Sequence, residues 1–156
     1  MTQTYSGYLK LDELLELQEP RSDGPEHDEM LFIIIHQVYE LWFKQVLHET
    51  LALQKSLEEP DTASSLAVFR RILTILKTMV GQVDILETMS PRSFLTFRSR
   101  LESASGFQSA QFREFEFVLG PKRREVLRYL PDAAAARRAA RRLTEPGMLF
   151  EGLGFR

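Results

Sequence analysis

The sequence predicts an all-α fold, a helical bundle with one long central helix. Three observations predict it. From His27 to Glu59 no glycine or proline interrupts the chain, which allows a helix of about 30 residues, on the order of 45 Å long. From about Ala63 to Met89, Leu66, Val68, Phe69, Ile72, Leu73, Ile75 and Leu76 recur as a helical apolar stripe. Nowhere does apolar and polar character alternate at the period of two that marks a strand, and no internal repeat is present.

The elements follow in order. Tyr8 to Gln18 places Leu11, Leu14, Leu15 and Gln18 on one face, and Pro20 stops it. Residues 19–26 (EPRSDGPE) form a loop. In the long helix Leu31, Ile34, Ile35, Val38, Leu41, Trp42 and Val46 are the expected core residues, and Pro60-Asp61-Thr62 breaks it. Gly81 weakens the next helix locally. Ser90-Pro91 has the order of an N-cap followed by proline at N1, opening a short helix to Leu101. Residues 102–109 (ESASGFQS) are turn-forming. Ala110 to Leu119 is a helix closed by Gly120. Lys122 to Tyr129 and Ala133 to Leu143 are two further helical segments, the first stopped by Pro131. The tail after Pro146 has no clear period.

The chain's 156 residues suit one domain, expected as a single helical unit over 1–156. At 44% hydrophobic and 27% charged residues it has the composition of a soluble globular protein. A net charge of −2 favours neither nucleic acid nor membrane, and no apolar run approaches the ~20 residues of a membrane span. No basic and apolar leader opens the chain. The absence of cysteine excludes disulfides, thiolate metal sites and cysteine nucleophiles, and fits a cytoplasmic setting. Charge is uneven: residues 1–60 hold 12 acidic and 4 basic side chains. Lys122, Arg123, Arg124, Arg128, Arg137, Arg138, Arg141 and Arg142 make residues 121–143 basic. Arg137, Arg138, Arg141 and Arg142 cluster on an alanine-rich helix, and without interleaved aromatic residues that cluster reads as a solvated face rather than a nucleic-acid patch.

His36 is the residue that invites chemistry. Phe32, Ile33, Tyr39, Glu40 and Phe43 fall beside it at helical spacing, although a buried histidine satisfied by one hydrogen bond is the ordinary alternative. His27, His36 and His48 are too far apart to share a metal. No Glu-x-x-His pair supports a di-iron bundle, and there is no phosphate-binding glycine loop or nucleophile elbow. The residues alone stop at a helical domain with one notable histidine.

The segment HDEMLFIIIHQVYELWFKQVLHE (27–49) closely resembles the long distal-side helix of tryptophan 2,3-dioxygenases. YSGYLKLDELLELQ (5–18) resembles the family's N-terminal element, and SFLTFRSRL to SASGFQSAQFREFEFVLG (93–120) its substrate-carboxylate segment and following loop and helix. The resemblance covers about residues 5–120 and implies the N-terminal half of that fold. It also implies an enzyme of tryptophan catabolism, on the kynurenine pathway. A b-type haem iron activates dioxygen there, and both oxygen atoms are inserted across C2–C3 of the indole of L-tryptophan to give N-formylkynurenine. By position, His36 falls on the histidine that hydrogen-bonds the indole N–H, and Phe32 on the aromatic packed against the substrate. Ile33, Ile34 and Ile35 fall within the same substrate-binding stretch. Arg98 falls on the arginine that holds the substrate carboxylate. Ser105 and Gly106 fall in the loop over the haem edge. Tyr5, Tyr8 and Leu9 resemble residues that enter a neighbouring subunit's pocket, which implies a homotetramer.

Two departures stand out. Phe94 occupies a position where the family commonly has tyrosine, which removes a hydroxyl. The family's proximal haem ligand lies C-terminal to the matched region, and all three histidines here occur by residue 48. No metal ligand is therefore assigned in this chain, which is expected to lack the half carrying the proximal histidine and to be inactive alone. The alternatives are a non-catalytic helical remnant and, given Phe94, a related haem-dependent aromatic hydroxylase.

Overall fold

The computed structural model describes residues 2–24, 26–58, 61–120, 123–130 and 132–144. Pro60, Pro131, Lys122 and the tail after Pro146, all used in the sequence argument, lie outside them. Among the described residues there are helices and no strands: α1 (Tyr5–Leu9), α2 (Leu11–Leu15), α3 (His27–Glu58), α4 (Thr62–Glu87), α5 (Pro91–Arg98), α6 (Ala110–Leu119) and α7 (Ala133–Thr144), with 3-10 turns at Ser99–Leu101, Gly106–Gln108 and Arg124–Tyr129. No helix among them is long and apolar enough to cross a membrane.

The helix starts follow side-chain chemistry. Asp61 accepts the Ser64 N–H at 3.0 Å to open α4, and Ser90 accepts the Ser93 N–H at 3.0 Å to open α5, with Pro91 behind it. Ser109 accepts the Phe112 N–H at 3.1 Å to open α6, and the Asp132 carboxylate accepts the Ala134 N–H at 2.8 Å to open α7. Each satisfies an N–H that the first turn leaves without an intrahelical partner. α6 stops where Gly120 takes φ 145°, a conformation open chiefly to glycine.

α3 is the spine. Val46, Leu47 and Leu53 pack against Ile72, Ile75 and Met79 of α4 and Phe115 and Val118 of α6. The other face of α6 packs Phe117 against Leu130 and Ala139. Each fully buried side chain of this kind contributes roughly 1.5–3 kcal/mol. Polar ties cross the same seams. The Tyr39 hydroxyl donates to the Met79 carbonyl at 2.6 Å, and Arg71 on α4 meets the buried Glu49 carboxylate on α3 at 2.8 Å.

Four expectations need correction. Tyr8 to Gln18 is not one helix, because Lys10 adopts φ 55° between α1 and α2. Leu14, Leu15 and Leu17 remain exposed, so no packed face holds that short segment in one piece. On α4, Leu66, Phe69 and Leu73 are exposed, and the buried line runs through Ser65, Ile72, Ile75 and Met79. On α3, Ile34 and Leu41 are likewise exposed. Between Arg123 and Leu130 the chain tightens into a 3-10 turn rather than an α-helix, which lets Val126 and Leu127 pack beside Phe117. Gly81 does not interrupt α4.

Candidate functional site

A recess of about 350 Å³ lies along α3, lined by Phe32, His36 and Glu40 from three successive turns and by Leu101, Ala104, Ser105, Gly106, Gln108 and Ser109 from the segment between α5 and α6. Positions 32, 36 and 40 share a line because side chains four residues apart stack on one helix face. The facing segment is short because α5 ends at Arg98 and α6 begins at Ala110.

The geometry fixes the chemistry of His36. Its Nδ1 lies 2.7 Å from the Phe32 carbonyl oxygen. A carbonyl oxygen accepts hydrogen bonds and donates none, so Nδ1 carries the proton and the neutral ring keeps its lone pair on Nε2. The histidine thus presents an acceptor. The Phe32 ring lies 4.1 Å from the imidazole, centroid to centroid. It is held by Phe94 at 5.8 Å and Phe97 at 5.5 Å, and these two rings contact each other edge-on at 5.5 Å. Phe97 is fully buried and anchors α5 to the foot of the recess.

The α3 end of the recess is fixed from outside. The buried Glu29 carboxylate accepts the Arg21 N–H at 2.7 Å and the Ser22 N–H at 3.1 Å. Burial raises its pKa, but hydrogen bonding by Ser22 and Arg21 and the Arg100 charge outweigh that and hold it below the usual carboxylate range. Arg100 also meets Asp23 at 2.6 Å. Opposite, Gln111 on α6 donates to Glu40.

The predicted residues are distributed as follows. Phe32, His36, Ser105 and Gly106 meet at the recess. The Ser105 hydroxyl accepts the Phe107 N–H at 3.3 Å, and a methyl group at Gly106 would meet open space. Phe94 touches Phe32 but does not line the recess. Arg98 is exposed at the end of α5, and its Nη1 lies 3.4 Å from the Glu102 carbonyl. Ile33, Ile34 and Ile35 do not line the recess: Ile35 faces the interior and Ile34 solvent. Tyr5, Tyr8 and Leu9 lie exposed on α1 and its C-terminal end, away from the recess. Sequence reasoning missed Glu40, Leu101, Ala104, Gln108 and Ser109 as lining residues. Glu40 had a signal, its place one turn beyond His36. The loop residues had none.

Among the described residues no group of three or more histidine, aspartate or glutamate side chains could hold a metal ion. In the basic segment, Arg123 meets Glu116 at 2.9 Å and Arg138 meets Glu114 at 3.6 Å, so part of its charge is balanced by α6.

Comparison with known proteins adds to this geometry. The family model described as tryptophan 2,3-dioxygenase matches residues 1–139. A tryptophan 2,3-dioxygenase of Herpetosiphon aurantiacus is 59% identical over 145 residues, covering 93% of this chain and 56% of the relative. One from Anaeromyxobacter dehalogenans is 56% identical over 151 residues, covering 96% and 56%. A third, from Dictyostelium discoideum, is 52% identical over 124 residues, covering 74% and 31%. The chain spans about half the length of the curated relatives it matches.

Proposed function

The chain belongs to the tryptophan 2,3-dioxygenase family, and from that premise we propose that it forms the substrate-recognising part of a haem-dependent enzyme that opens the indole ring of L-tryptophan to N-formylkynurenine. The observation that carries this is the Phe32–His36 pair. With Nδ1–H donated to the Phe32 carbonyl, Nε2 is the acceptor that an indole N–H requires. Phe32 supplies an aromatic face beside it. Arg98, one turn beyond Phe94 on α5, is the cation for the substrate carboxylate, since its planar fork pairs two oxygens at once. Ser105, Gly106 and the apolar Leu101 and Ala104 line the recess where substrate and cofactor would meet.

The haem site fits these residues on one face. They offer apolar surface at Phe32, Leu101 and Ala104, an open position at Gly106 and a single imidazole, beside the polar side chains of Glu40, Ser105, Gln108 and Ser109. When bound, haem supplies the activation of dioxygen, while this chain's residues orient the indole and accept its N–H. His27 and His48 are exposed elsewhere on α3, and the Tyr39 hydroxyl is committed to Met79. The ligand holding the iron is therefore assigned to residues outside this chain, and turnover needs them. An oligomeric, cytoplasmic setting belongs to the same proposal. It rests on the exposed aromatic residues of α1 and on the absence of cysteine.

The test is a titration of the ¹⁵N-labelled chain with L-tryptophan. Shifts confined to Phe32, His36, Arg98 and residues 105–109, lost in His36→Ala, are expected. No shift, or shifts elsewhere that persist in His36→Ala, would remove the recess as the binding site.

A further inference from the structure

We propose that Arg113 is a positioning residue: it fixes the loop 103–109 so that Ser105 and Gly106 are held as a wall of the recess that His36 lines. The loop shapes itself through internal bonds. The Gln108 N–H donates to Ser105 at 2.9 Å, the Ser109 N–H to Gly106 at 3.1 Å, and the Gln108 side chain to the Ser103 carbonyl at 3.1 Å. Such bonds set its form. Its C-terminal end is held where Ser109 caps α6, accepting the Phe112 N–H at 3.1 Å. Apolar burial adds little to the middle of the loop, because Phe107 is 67% exposed and its ring comes no nearer to that of Tyr129 than 6.3 Å between centroids.

Arg113 supplies a second tie, at the middle of the loop. From α6 its Nη2 donates to the Phe107 carbonyl at 3.2 Å. Its guanidinium lies 5.8 Å from the Phe107 ring centroid and 5.1 Å from that of Phe112, within reach of cation–π attraction. The arginine is itself locked. It is 4% exposed, and its Nη1 meets the Glu116 carboxylate at 2.5 Å. The other Glu116 oxygen takes Arg123 at 2.9 Å. A buried charge is tolerated when so paired. A planar fork can serve Glu116 and Phe107 at once, which an ammonium point charge cannot match. A buried arginine whose second bond leaves its own helix for a recess-forming loop is thus spent on the position of that loop.

The inference deepens the proposed function and rests on that reading for its ligand, so the experiment has two separable arms. The first is amide hydrogen exchange of the ligand-free chain. In Arg113→Met, exchange at residues 105–108 is expected to rise roughly tenfold or more while residues 36–50 of α3 keep their protection. Arg113→Lys should fall between, and Arg123→Ala should leave the loop unchanged. Unaltered loop exchange in Arg113→Met, or an equal rise throughout α3, α4 and α6, overturns the inference. Should Arg113→Met fail to fold, Glu116→Gln keeps the arginine side chain but removes the charge that holds its guanidinium toward Phe107, and a rise confined to residues 105–108 is then expected, its absence being the overturning result. The second arm titrates the same variants with L-tryptophan. A loosened loop with weakened binding supports the inference, and a loosened loop with parental affinity overturns it. No binding by the unsubstituted chain defeats the proposed function instead, and the exchange arm still decides on Arg113.

Discussion

The side-chain amide of Gln111 on α6 donates to one residue of α3 twice, to the Glu40 carbonyl at 2.9 Å and to its carboxylate at 2.8 Å. This fixes both the helix–helix register and the Glu40 side chain within the recess wall. Gln111→Leu is expected to destabilise the chain by about 1.5–3 kcal/mol, the worth of a hydrogen bond to a charged group. Gln111→Glu should be worse at neutral pH, because two carboxylates then face each other, and should recover as acid protonates one of them. Urea unfolding of both variants across pH 4 to 7 as an approximate window spanning the carboxylate range checks this. A Gln111→Glu chain that does not regain stability on acidification would show that the pair is not in contact.

The tautomer of His36 is open to direct measurement. A ¹H–¹⁵N spectrum tuned to imidazole nitrogens should show the proton on Nδ1 at neutral pH, as its 2.7 Å contact with the Phe32 carbonyl requires. Detection of the Nε2–H form instead would remove the acceptor on which indole recognition depends. His36→Ala should retain the fold, since the ring lies at a recess rather than in the main core.

Glu29 gives the chain an acid-sensitive joint. Its folded pKa lies below the ordinary value, so its stabilisation is complete above the unfolded carboxylate pKa and is lost as pH falls through the lowered folded value. Glu29→Gln should lower the melting temperature at neutral pH and flatten the loss of stability toward acid. Equal acid sensitivity in parent and variant would assign it to other carboxylates.

Arg98 separates binding from stability. Because it is exposed, Arg98→Ala should change stability by no more than about 0.5 kcal/mol, as for Arg141→Ala. Affinity for L-tryptophan should nevertheless fall by about 1.5–3 kcal/mol, the contribution of a charge-assisted bond to its carboxylate. Calorimetric titration beside thermal melts distinguishes the two, and equal affinities in the Arg98 and Arg141 variants would take Arg98 out of recognition. The much larger loss expected for a buried ion pair does not apply to a side chain standing in solvent.

Local chemistry was legible in the sequence wherever it acts through neighbours. The cap at Ser90 and the stop at Gly120 depend on residues within one turn, and the bounds of α6 coincide with those expected. The apolar line of α4 was misjudged because periodicity tells which residues share a face, not which face meets another helix. Leu66 and Leu73 share a stripe and stay in solvent, while Ser65 is buried. Arg113 was invisible for the converse reason: a charged residue on a helix reads as surface until its partners, Glu116 and the Phe107 carbonyl, are placed around it. The recess was half legible. Phe32 and His36 lie on one helix, but the loop opposite them carries small polar residues that show no period.

The bend at Lys10 has a consequence for the first residues of the chain. α1 and α2 bury none of their side chains, and between them the backbone turns through the left-handed region at a lysine. Segments 17–22 are moored to α3 by Gln37 and Glu29. The arm ahead of them is therefore a tethered outrigger. Tyr5 and Tyr8 stand 76% and 70% exposed, so a partner that covered them would take no packing from the rest of the chain.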